Sequence, residues 1–164
     1  MGQSIVPLLL KRTAEFLEQQ VAPQLATHDL KQKTTMSGYL LRFLAVSVEE
    51  KCQELNQENE AIRQALESVR EALSRETQLS HNQARNELIE KLDSKLKKDA
   101  VTAPDLSEEN YDLTEVLTET IKGLDALFED LPEETMASLK QPLRSAIRLQ
   151  LNHTLARIAA VPGL

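Results

Sequence analysis

The chain has 164 residues and a formal charge of −7, which fits one domain, or one domain with a helical extension. The negative balance also argues against a nucleic-acid partner, whose counterions are displaced by a basic face. Apolar residues at 41% and charged residues at 27% make the composition globular, while 3% aromatics and only four glycines disfavour a β-rich fold. Leu, Ala, Glu, Gln, Lys and Arg dominate and are good helix formers, so the expected fold class is all-α, a helical bundle of five to six helices.

The spacing predicts a first helix over 5–25, capped by Ser4, with Leu9, Thr13, Phe16/Leu17 and Val21 inside and Pro23 ending or kinking it. A polar connection is expected over 26–33. A second helix over 35–57 places Met36, Leu40, Phe43/Leu44, Ser47/Val48, Cys52 and Leu55 on its inner stripe. Its stretch SGYLLRFLAVSV is apolar on nearly all sides, which predicts a central position in the bundle. A surface helix over 58–74 turns Ile62, Leu66, Val69 and Leu73 inward. A fourth helix over 82–98 does the same with Leu88/Ile89, Leu92 and Leu96, and Lys95, Lys97 and Lys98 lie in its last turn, beside the exposed carbonyls.

The segment DAVTAPDLSEEN, residues 99–110, reads as a linker between a four-helix region (1–98) and a C-terminal helical pair (111–164), which could also pack into the same single domain. The first helix of the pair, over 111–131, carries the most regular stripe: Leu113, Val116/Leu117, Thr120/Ile121, Leu124, Leu127/Phe128 and Leu131. Pro132 with Glu133 and Glu134 marks the next helix start. Pro142 is expected to break that helix, with Leu143, Ile147, Leu151, Leu155 and Ile158 forming the inner face beyond it and Pro162–Gly163 stopping it.

No constellation of catalytic type emerges. Cys52 is the lone cysteine, which excludes a disulfide within the chain and a CxxC pair, and it reads as a small core residue. Gln78-Leu-Ser-His81 and Gln150-Leu-Asn-His153 put a neutral glutamine where a di-iron bundle needs a carboxylate. Neither a glycine-flanked serine elbow nor a glycine-rich phosphate loop is present. The expectation is therefore no cofactor, no metal and no catalytic residue. The alternative is a small-ligand-binding protein or metal-dependent enzyme with a pocket between helices, where His28, His81 or His153 would converge on Glu49, Glu50 or Glu119.

Residues 5–10 form too short an apolar run for a secretory signal, Val6 stands where a myristoylation pattern has Ser or Thr, and no stretch is long enough to span a bilayer. A cytoplasmic protein without a membrane partner is expected. Lys140, Arg144 and Arg148 step by four along the last segment, with Arg157 beyond. They read either as a solvated face opposite Glu115 and Glu119 or as a ridge that docks an acidic partner or anion. A protein partner or a second copy is expected, with a homodimer formed through the stripe over 111–131 favoured.

The passage FLEQQVAPQL (Phe16 to Leu25), followed by a second apolar helix, resembles the start of a bacterial family of small, uncharacterised helical proteins found with acyl-CoA dehydrogenases and aminoglycoside-phosphotransferase-like kinases. The similarity runs loosely to about Lys98. The second helix reads KQKTTMSGYLLRF where the family has a more alanine-rich, histidine-containing entry. The resemblance implies an accessory protein without a known activity and transfers no functional residue.

Overall fold

The computed structural model describes residues 5–76, 82–96 and 105–159, with the side chains of 157–159 left out. The fold is all-α, as the composition predicts. In chain order the elements are α1 (Ile5–Phe16), a π turn (Leu17–Val21), a final short turn α2 (Ala22–Gln24), α3 (His28–Arg75), α4 (Gln83–Leu96), α5 (Leu106–Ala126) and α6 (Glu133–Ala159). Two compact units divide the chain, Met1–Glu54 and Leu55–Leu164. The division falls inside α3 rather than at 99–110.

In the first unit, α1 runs into the π turn because Pro23 has no N–H and its ring crowds the carbonyl one turn back. A widened turn in which Ala22 N–H reaches the Leu17 carbonyl relieves that clash. The chain then breaks only at Leu25, and Thr27 starts α3 by accepting from the Leu30 N–H. The expected connection over 26–33 is thus mostly helix. The two helices over 35–57 and 58–74 are also a single element of 48 residues, since nothing between Asn56 and Glu60 breaks a helix.

In the second unit the part of α3 from Leu55 joins α4, α5 and α6 in an up-down-up-down bundle. Arg70 meets Asp93 while Leu73 and Ser74 meet Arg85, so α4 runs back along α3. Lys91 meets Glu119 and Leu88 packs at Gly123, which sets α4 against α5. Thr114 meets Gln150 while Asp125 meets Lys140, which sets α5 against α6. One core holds Ile62, Leu66, Val69 and Leu73 of α3, Leu88 and Leu92 of α4, Leu113, Val116, Leu117 and Leu124 of α5, and Met136, Leu139, Leu143 and Ala146 of α6. The stripe over 111–131 is consumed here, and this removes the basis for a homodimer formed through it.

Several boundaries differ from expectation. Helix α5 starts earlier than 111, because Asp105 caps it through the Ser107 N–H at 2.9 Å. Helix α6 passes through Pro142 as one element. Its predicted inner face holds at Leu143 but not beyond: Ile147, Leu151 and Leu155 are exposed. Ser4, His81, Lys97, Lys98, Pro162 and Gly163 lie outside the described residues, as does the first half of the 99–110 linker, residues 99–104.

Leu66 and Leu124 are 0% and 1% exposed at the centre of this core. Leu66→Ala should therefore lower the stability of the second unit by about 2–5 kcal/mol, measured by urea unfolding, because a cavity adds to the lost transfer energy. A loss below about 1 kcal/mol would mean that the core is not packed as described.

Candidate functional site

Seven-residue steps run through the sequence of α3 over Gly38, Ala45, Cys52, Asn59, Leu66 and Leu73, all buried except the half-buried Cys52, and are flanked by half-buried Leu41 and Val48 and by buried Leu55, Ile62 and Val69. Over the first unit this seam is lined by small residues. Gly38 lies so close to α1 and its π turn that a Cβ there would sit 2.6 Å from Glu18 Oε1. Two ion pairs fix the register: Lys11 Nζ to Glu49 at 2.8 Å, and Arg42 to Glu18 at 2.7 Å with a second contact through Nε. Seven residues forward from Lys11 of α1 to Glu18 of the π turn correspond to seven backward on α3, from Glu49 to Arg42, so the pairing is antiparallel. The hydrogen bond and charge of Glu18 raise the pKa of Arg42 above its ordinary value.

Large apolar residues occupy the opposite side. Met36, Tyr39, Leu40 and Phe43 of α3 are 57–69% exposed, and Leu44 and Val46 beside them are nearly half exposed. On α1 the buried residues are Pro7 and Ala14, while Ile5, Leu9 and Phe16 are exposed. The predicted inner stripes hold only in part: Leu17, Val21, Ser47, Val48 and Cys52 are half-buried and Leu55 is buried, while Leu9, Thr13 and Phe16 on α1 and Met36, Leu40, Phe43 and Leu44 on α3 are exposed. The stretch SGYLLRFLAVSV is covered on one side only.

The same helix supplies an internal comparison. In the second unit, the α3 positions facing away from the seam are Gln57, Glu60, Gln64, Glu67 and Glu71, all exposed and all polar. Over 36–46 the equivalent positions are Met36, Tyr39, Phe43 and Val46. A solvated helix face has no use for that set.

The second unit holds a different feature, a buried polar cluster. Glu58 and Asn59 are 5% and 4% exposed. The Nδ1 of His153 on α6 lies 2.8 Å from Glu58 Oε1. Asn110 of α5 donates to Glu58 Oε2 at 3.2 Å and to Asn59 Oδ1 at 2.8 Å, and Asn59 donates to the Leu106 carbonyl. Arg63 pairs with Glu109 beside them. The cluster joins α3, α5 and α6. A histidine held by a carboxylate can serve as a general base where substrate reaches it. Here, however, a groove of about 240 Å³ (Ile121, Leu124, Asp125, Lys140, Leu143, Arg144, Ile147) and an open depression of about 600 Å³ around Arg85 and Asp93 lie at other residues. A structural role, satisfying buried polar atoms, accounts for the geometry.

Among the described residues His153 meets an acid, and that acid is Glu58 rather than Glu49, Glu50 or Glu119. His28 is exposed on the first unit, and His81 is outside the described residues. Among the described residues, no group of three or more His, Cys, Asp or Glu side chains is placed to hold a metal ion. Cys52 is half-buried on the seam.

The basic ridge is only partly free. Lys140 lies 3.9 Å from Asp125 and sits over the Phe128 ring at 5.0 Å from its centroid. Arg144 lines the same groove, Arg148 is exposed, and the side chain of Arg157 is outside the described residues. Of the expected acidic counter-face, Glu119 pairs instead with Lys91 of α4 at 2.7 Å. The hydrogen bond from Lys91 holds the Glu119 carboxyl below its ordinary 4.5; desolvation opposes this, and the charges of Lys91, Lys95 and Lys122 add to it. A depressed carboxylate contributes stability above its unfolded value, and that contribution is lost as pH falls through the native one.

Arg85 was not singled out from the sequence. It is 8% exposed and donates to the Leu73 and Ser74 carbonyls and to Asn86 Oδ1, closing the C-terminal end of α3. No family model, curated protein or solved structure matches the chain.

Two measurements check this geometry. Glu58→Ala leaves the His153 Nδ1 and the Asn110 amide without that partner and should destabilise the second unit by about 1–3 kcal/mol in urea unfolding. In Lys91→Met, the Glu119 carboxyl should titrate at higher pH than in the native protein, read by carbon-detected NMR; an unchanged titration would remove the Lys91 contact in solution.

Proposed function

We propose that the chain is a non-enzymatic accessory protein that works by docking to another polypeptide through the outer face of α3 in its first unit. The observation that carries this reading is the change of outer-face composition along one helix, polar over 57–71 and apolar over 36–46. Since both stretches belong to one element, the difference reflects what each half meets rather than helix propensity. Large apolar side chains at half exposure or more are what an interface core requires, and Tyr and Phe are enriched there.

An accessory role is also what the resemblance over 16–25 implies. A cytoplasmic setting is supported by the single cysteine, and among the described residues no helix is long and apolar enough to cross a membrane. Glu58–His153 favours a second reading, a ligand site in the second unit. It would be supported by a stoichiometric metal or small molecule in purified protein that His153→Ala removes.

Phe43→Asp tests the leading reading. The side chain is 69% exposed, so the free protein should keep its unfolding midpoint to within about 0.5 kcal/mol in stability. Affinity isolation from source cells should recover a partner with the native chain and lose it with this variant. Recovery of the same proteins by both would rule out this face as the docking surface.

A further inference from the structure

We infer that the occupant of the α3 outer face is a second copy of this chain, its own α3 lying antiparallel across Met36, Tyr39, Leu40, Phe43 and Leu44. The inference rests on the reading of this face as a docking surface and adds the partner and the register.

Area comes first. At their observed exposures these five residues offer roughly 500–600 Å² of side-chain surface, against about 800 Å² per partner in a standard stable interface. The flanking Lys33, Ser47 and Glu50, all on the same side of α3, bring the patch to that size. The patch therefore suits one helix laid along it, and a matching patch is available on every other copy.

Charge then sets the direction. On the outer face, Lys33 precedes the apolar run and Glu50 follows it. Two parallel copies would set Lys33 against Lys33 and Glu50 against Glu50. An antiparallel pair centred between Leu41 and Arg42 sets Lys33 of each copy against Glu50 of the other, Leu40 against Phe43, and Met36 against Ser47. Such an arrangement is two-fold symmetric, the closed form in which one patch serves both subunits. Lys33 is also 2.8 Å from Asp29 in its own helix, and both side chains are about 70% exposed, so the ammonium can turn to an opposing carboxylate.

Sedimentation equilibrium on the full chain, from low to high micromolar, tests the inference. A dimer is expected for the native protein and a monomer for Phe43→Asp. Lys33→Glu and Glu50→Lys should each weaken association by about ten-fold, and the double swap should restore it, because the pair meets twice in the symmetric contact. The double swap does not restore the contact with Asp29, so restoration reports the intermolecular pair. Circular dichroism of each variant checks that its helices are intact. A native chain that is monomeric throughout overturns the inference, while loss of a cellular partner in Phe43→Asp would still uphold the docking face. A dimer unaffected by Phe43→Asp, or single reversals without effect, overturns the surface or the antiparallel register respectively.

Discussion

Everything in the chain hangs on the continuity of α3. The sequence of the helix from His28 to Arg75 carries one seven-residue spacing through both units, and that spacing meets different partners in each. In the second unit the seam carries Leu66, Leu73, Ile62 and Val69 and is closed by three other helices. In the first it carries Gly38 and Ala45 and is met by α1 and its π turn. Large residues fill the space between several helices, and small ones let two helices approach closely.

That change of size along the seam explains which parts of the fold were legible. The stripes at 62–73, 88–92 and 113–124 are large, periodic and buried, and hydrophobic spacing finds them directly. On α1 and the first half of α3 many large apolar residues, among them Leu9, Phe16, Met36, Leu40 and Phe43, are off the seam, and spacing alone follows them instead of Gly38 and Ala45. Sequence periodicity reports that a face is apolar; whether this chain covers it depends on what packs there. Extending the seven-residue frame backwards from Leu73 and Leu66 would have reached Gly38 and Ala45 and shown the phase.

The polar cluster was hidden for a related reason. Glu58 and Asn59 look like the start of a solvated helix when read locally. Asn59, however, stands on the seam between Cys52 and Leu66, and a polar residue at such a position is the signal that a buried network is being formed. Its partners, Asn110 and His153, are far away in sequence and could be named only once the bundle placed α5 and α6 beside α3. Arg85 was missed similarly, because its role depends on where the C-terminal turn of α3 ends.

Why the proposed docking face should sit on this helix follows from cooperativity. An isolated helix of a dozen residues is marginal in water because its first turn is costly to form. The second half of α3 is fixed by the core of the second unit, so the first half needs only to propagate from it. Gly38, which lowers helix propensity by about 0.5–1 kcal/mol, is offset by the close approach of Glu18 and the Arg42 and Lys11 ion pairs on either side. The outer face is thus already helical before anything binds, and association does not have to repay the ordering of that segment. The same logic accounts for the side chains chosen there: Tyr39 and Phe43 have few rotatable bonds to immobilise, and flexible charged residues are kept to the ends of the patch, at Lys33 and Glu50.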